Sequence, residues 1–284
     1  MLRYSRLLII FAILASPCVS GCFTLSARPV PGFYNELMEF SIEVKGISVG
    51  SILMRTVQTG ETFLQINTKV QTFKMVEPLY YIAGNFGAMW NYRDQKSYMA
   101  YEDVYDGYMY MRRAYRFQED NRIYVNKREV RFFESGLPHG DVPEKDSTRE
   151  YYIEGTEFQD LLGVFYTLRS MGVSPQPGEI YKLKVLPAGV KKIMIIQVID
   201  KLVVNVPPLG GDTRVIHVKS GLATPGNKLS GGNIFFNVQS ALDLYFTDDE
   251  NAIPVRIWAK VPIIKRADVV LTQYLQSSRK KNKK

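Results

Sequence analysis

Apolar residues recur at every second position along most of this chain, a period that suits strands with one buried face and excludes a helical bundle. Phe40, Ile42 and Val44 alternate with Ser41 and Glu43, and Gly46 breaks the run. Val49–Val57 resumes the pattern, Thr59-Gly60-Glu61 turns it, and Phe63–Phe73 continues it. Further strand-like runs are Ser97–Val104, Tyr108–Phe117, Arg122–Val125, Arg149–Ile153, Ile180–Leu186, Ile193–Val204, Thr213–Val218, Asn233–Phe246, Ile253–Val261 and Val269–Tyr274. Aromatic residues make up 12 % of the chain, which suits a pleated, half-buried surface. One segment has helical spacing: Thr156 as N-cap, Glu157 and Asp160 in the first turn, then Leu161, Leu162, Phe165 and Leu168 on one stripe, ended by Gly172. A second short helix is possible near Glu77–Ala83, and the Pro- and Gly-containing segment 134–147 reads as a loop. The expected architecture is therefore mainly β, a strongly curved antiparallel sheet or incomplete β-barrel with one or two short helices. Two halves meeting near Ser174–Gly178 are the alternative division.

The first residues set the compartment. Arg3 and Arg6 precede an unbroken apolar stretch from Leu7 to Ala15, too short to span a bilayer and typical of an export signal. Val19-Ser20-Gly21-Cys22 follows and resembles the bacterial lipobox, in which a branched and two small residues precede a Cys that receives diacylglycerol. An ordinary signal peptide with an incidental Cys is the alternative. The lipobox reading gives a signal peptide over 1–21, a tether over 22–35, a β-rich domain over 36–276 and a basic tail over 277–284. It makes the membrane a partner through Cys22, since each buried methylene of an acyl chain contributes about 0.8 kcal/mol. Phe23 stands where an Asp would favour inner-membrane retention, so the periplasmic face of an outer membrane is the expected location. Cys18 falls within the leader, so the mature chain is expected to hold no disulfide and no cysteine chemistry.

Charge narrows the partners. The chain carries 36 basic and 28 acidic residues, a formal +8. Arg3 and Arg6 lie in the leader, and Arg279, Lys280, Lys281, Lys283 and Lys284 in the tail. With those seven set aside, 29 basic residues face 28 acidic ones. The body is nearly neutral, which argues against a nucleic-acid-binding face.

No set of residues spells out a reaction. His139 and His217, the only two histidines, lie far apart and pair with no metal-ligand motif, so neither a metal nor a cofactor is expected. There is no Gly-x-Ser-x-Gly elbow, and Gly210-Gly211 and Gly231-Gly232 read as hairpin turns rather than a phosphate loop. Asp248-Asp249-Glu250 lacks the alternating oxygen ligands of a calcium loop and reads as a turn. Asp160 and Arg169 bracket the predicted helix and complement its dipole; alternatively the helix caps the mouth of the sheet and Arg169 meets an anionic group. Tyr108 and Tyr110 share one strand face and Met109 and Met111 the other, either as an ordinary sheet or as a wall for an acyl chain or glycan.

Three segments resemble DUF3108, a family of exported bacterial proteins of unknown function. They are Gly46-Ile47-Ser48-Val49-Gly50, the helix Asp160-Leu161-Leu162-Gly163-Val164-Phe165-Tyr166-Thr167-Leu168-Arg169, and the aromatic strand, acidic turn and Ile253-Pro254-Val255 over 245–255. In order, they cover about residues 36–275. Many members carry Pro after the helix Asp, where this chain has Leu161. The resemblance implies a β-rich envelope protein and no assigned reaction. The expected function is a non-enzymatic envelope lipoprotein that binds or passes a hydrophobic or amphipathic ligand such as a lipid or glycan. A module that binds other envelope proteins is the alternative.

Overall fold

The computed structural model describes Phe33 and residues 35–77, 81–106, 109–132, 143–170, 175–223, 242–259 and 266–277. The leader, Cys22, Tyr108, His139, Gly231-Gly232, most of the 134–147 segment and the basic tail lie outside them.

Fourteen strands form one antiparallel sheet. From the N-terminus they are β1 (Glu36–Val44), β2 (Ile47–Thr59), β3 (Phe63–Thr72), β4 (Ile82–Asn91), β5 (Lys96–Asp106), β6 (Met109–Phe117), β7 (Arg122–Phe132) and β8 (Pro143–Glu154). A helix, α1 (Leu161–Ser170), follows. The chain then adds β9 (Ile180–Val185), β10 (Lys192–Val206), β11 (Gly211–Ala223), β12 (Leu242–Thr247), β13 (Pro254–Ala259) and β14 (Ala267–Gln276). The spatial order runs β8 to β1, then β14 to β9. Thus β1 and β14 pair at the centre of the sheet, and among the described residues β8 and β9 are its edges.

Local chemistry explains the meander. Lys45 and Gly46 both have positive φ (53° and 78°) between the paired residues Val44 and Ile47. This is the two-residue hairpin whose backbone twist matches that of the strands. Gly210, at φ 93°, completes the β10–β11 connection as the sequence suggests.

The sheet curls around α1 without closing into a barrel. Gln159, just before the helix, makes a parallel bridge to Val185 at the β9 edge. The β9–β10 turn at Gly189 lies against the Tyr151 hydroxyl of β8. Two apolar clusters fill the space between. One joins Met38, Leu64, Ile66, Trp90, Tyr115 and Ile123 with Leu162 and Tyr166 of α1. The other joins Ile196, Val218, Leu244 and Phe246 with Val164. Phe165 packs against both, so the helix contributes side chains to each cluster.

Two expectations are corrected. The segment expected as a second short helix, Glu77–Ala83, lies partly outside the described residues (78–80); of the rest, Glu77 is in a turn and Ile82 opens β4, whose apolar face packs under α1. The stretch 143–147 belongs to β8 rather than to a loop, because β7 extends to Phe132 and supplies its ladder. Thr156 does not cap the helix; its N–H and hydroxyl donate to Asn121 Oδ1, and Asp160 caps it instead.

Gly163 is where α1 meets β5. A Cβ there would lie 2.3 Å from Ser97 Oγ and 2.9 Å from Asp160 Oδ2. Gly163→Ala should therefore lower stability by about 1–3 kcal/mol through overpacking, although alanine favours a helix by about 1 kcal/mol. Adding Ser97→Ala should recover part of that loss, as urea denaturation of the single and double variants would show.

Candidate functional site

The two ends of α1 are the most constrained polar positions in the described structure. At its start, Asp160 is buried, and its Oδ1 accepts the N–H groups of Leu162 (2.9 Å) and Gly163 (3.0 Å). Ser97 of β5 donates its hydroxyl to Asp160 Oδ2. This is an N-cap turned inward: the carboxylate satisfies two otherwise unpaired helix donors and ties the helix to the sheet. Burial raises its pKa to about 6, although Ser97 and the two amides act in the opposite direction.

At the other end, Arg169 is fully buried and pairs with the equally buried Glu36 of β1. The guanidinium donates from Nη1 to Glu36 Oε2 (2.8 Å) and from Nη2 to Glu36 Oε1 (2.9 Å). Its Nε donates to the Ala252 carbonyl (3.2 Å) and Nη2 also to the Asn251 carbonyl (3.0 Å). Tyr274 of β14 donates to Glu36 Oε1 (3.0 Å). The guanidinium also lies 4.2 Å from the Phe33 ring centre and 5.0 Å from that of Tyr166. Burial alone would lower the pKa of Arg169, but Glu36, Tyr166 and Tyr274 hold it above its usual value. The anionic group that Arg169 meets is thus a carboxylate of its own chain. The pair joins β1, α1, β14 and the β12–β13 turn, where Ala252 is held at φ 42°.

The other sequence candidates are not gathered into one site. Tyr110 is half-buried and packs on Tyr105 with ring centres 4.6 Å apart. His217 lies between Asp200 (Nδ1, 3.1 Å) and Asp243 (Nε2, 2.8 Å) and stacks on Tyr245, linking β10, β11 and β12. No serine or cysteine among the described residues bonds to it, and no group of three His, Cys, Asp or Glu residues there is placed to hold a metal. Asp249 closes the β12–β13 turn by accepting the N–H groups of Asn251 and Ala252. An open cleft of about 290 Å³ lies beside the helix start, lined by Arg93, Asp94, Gln95, Lys96, Glu157, Gln159, Thr167 and Leu183.

Sequence reasoning missed Glu36 and Tyr274. A signal for Glu36 existed: it is the one acid in the alternating register of Met38 and Phe40, both fully or nearly fully buried. Its partner Arg169 lies 133 residues away, and no local pattern links the two.

A family model described as "Protein of unknown function (DUF3108)" matches residues 39–269, including α1 and all three resemblance segments. The chain belongs to the DUF3108 family. The DUF3108 fold is similar to that of a β-barrel-like protein of domain of unknown function DUF1849 from Brucella abortus. The two share 9 % identity at a TM-score of 0.56, over 87 % of this chain and 100 % of that one. A Bacteroides fragilis protein with a YmcC-like fold, named as one inferred to be exported, aligns at 9 % identity and a TM-score of 0.33 over 86 % of this chain and 96 % of that one. No curated protein matches the chain.

Two outcomes test the helix ends. Arg169→Met leaves Glu36 buried without its partner and should cost about 3–5 kcal/mol, whereas Glu36→Leu with Arg169→Met should recover much of that loss in denaturant titrations. Asp160 keeps its proton more tightly when folded than when unfolded. Its contribution to stability is therefore full below about pH 4 and is lost as pH rises through about 6, a change of about 3 kcal/mol. Asp160→Asn, which keeps a cap, should flatten the stability profile between those pH values.

Proposed function

We propose that this DUF3108 protein is a non-enzymatic module of the cell envelope, lipid-anchored through Cys22 on the periplasmic face of the outer membrane, that binds other envelope proteins through the surface of its sheet. The observation that carries this reading is that, among the described residues, α1 occupies the interior of the curl. A carrier of an acyl chain needs a continuous apolar cavity, and here the space inside the curl holds α1, packed against both apolar clusters.

The surface offers what an interaction module needs. Among the described residues β8 is an edge of twelve residues, paired only with β7. Such an edge can accept a partner's strand, while its Lys145, Arg149 and Glu150 oppose indiscriminate pairing. Tyr98, Met99, Tyr101 and Tyr152 are exposed on β5 and β8. Among the described residues no helix is long and apolar enough to cross a membrane.

Native mass spectrometry of the full chain, purified in an excess of neutral detergent, tests the reading. The expected mass is the chain plus its Cys22 anchor. A further lipid retained in near-stoichiometric amount would restore the carrier reading and overturn this one. A photo-crosslinker at Thr148 of β8 should capture a discrete envelope protein in cells, and Cys22→Ser should release the chain from the membrane fraction.

A further inference from the structure

The core-facing side of β5–β8 changes character along its length. Near α1 it is apolar, with Ala100, Tyr115, Phe117, Ile123 and Val125 all buried. One register step further, the ladder places Glu102, Arg113, Lys127 and Arg149 directly opposite one another on four successive strands. Strands lie about 4.8 Å apart, so Lys127 has a cation on each side in its own row, an arrangement that destabilises a sheet unless anions compensate it.

The protein supplies only part of that compensation. Glu102 accepts Arg113 Nη1 at 2.6 Å. Glu129, from the next row, is shared by Lys127 (2.6 Å) and Arg131 (2.9 Å). Arg149 pairs with no acid among the described residues. In the adjoining row Asp106 lies on the same side as Arg131 and Lys145 and has interactions of its own.

Two buried polar groups beside the row also lack partners. Arg113 is 6 % exposed, and its Nε–H has no acceptor. Tyr115, two residues along the same strand face and 2 % exposed, has a hydroxyl with no hydrogen bond of normal length; burial and the nearby Glu102 carboxylate raise its pKa. Leaving such a group unpaired in the interior is unfavourable. Accessibility is graded across the strands: the Arg113 side chain is 7 % exposed, that of Lys127 is 26 % exposed, and Arg149 is open to solvent on the free-edge strand β8. The row is thus open at the sheet edge and ends inside on unsatisfied donors.

We propose that the row Arg113–Lys127–Arg149, with the Tyr115 hydroxyl at its inner end, binds an anion of the phosphate class, entering past the β8 edge. The exposed Arg149 guanidinium fork matches the oxygens of a phosphate group, Lys127 adds a point charge beside it, and the buried Arg113, whose Nη1 and Nη2 are taken by Glu102 and Met111 Sδ, offers its Nε–H. This goes beyond the surface-module reading and does not depend on it, since neither the anchor nor a protein partner takes part.

The same chemistry is offered by free phosphate and by a phospholipid headgroup, and one experiment separates them. The full chain in neutral detergent is titrated calorimetrically with inorganic phosphate and, separately, with a short-chain phosphatidylglycerol. Saturable binding of inorganic phosphate shows that the ion alone suffices, and binding of the phospholipid only, or more tightly, identifies a headgroup. Arg149→Gln, at an exposed position, should weaken either interaction about tenfold. Arg112→Gln, on the opposite face of β6, should leave it unchanged. Absence of binding in both titrations, or equal loss from the two substitutions, would overturn the proposal.

Discussion

The curl of this sheet depends on a buried ion pair between residues 133 positions apart, Glu36 on the first strand and Arg169 at the end of the only α-helix among the described residues. Neither charge is accessible to water, so each needs the other to offset the cost of leaving it. Tyr274 on the last strand and the carbonyls of Asn251 and Ala252 complete the set. The chain can satisfy all of these groups together only if β1 and β14 pair and the β12–β13 turn comes to the helix end. Such a pair adds less to net stability than an apolar one of the same shape would, but it admits few alternative arrangements.

The helix is the second consequence of the same constraint. Asp160 and Ser97 hold its start against β5, and Arg169 holds its end against β1. Between these ends, α1 lends Leu162 and Tyr166 to one apolar cluster and Val164 to the other. An amphipathic helix on an open sheet exposes one face, whereas here Gly163, Val164, Tyr166, Thr167 and Arg169 are all buried. Filling the curl with a helix leaves the outer face, the free edges and the polar end of the inner face as the surfaces available for function.

Much of the strand pattern was legible because burial of one face imposes period 2. The failures have physical causes. β4 contains Gly84, Gly87 and Ala88 in place of large apolar residues, so its alternation is muted; at Gly87 the missing side chain is replaced by the Tyr101 ring from β5. The inner positions of β7 beyond Val125 and of β8 before Arg149 carry Lys127, Glu129, Arg131 and Lys145, which read as polar stretches and hid those parts of the two strands. Thr156 and Asp160 are both plausible caps by residue type, and only the bridge of Gln159 to Val185 decides between them.

By itself, the sequence determined that this chain forms a β-rich domain with a helix bracketed by Asp160 and Arg169, and its motifs identified the DUF3108 family. Alternation, turn residues and helix capping are local, and local sequence encodes them. Only the tertiary structure decided that Arg169 faces Glu36 rather than a ligand, that the helix occupies the interior, and that Arg113, Lys127 and Arg149 stand in one row. Those outcomes depend on the pairing of distant strands, and a residue's own neighbours carry no record of what lies across the sheet from it.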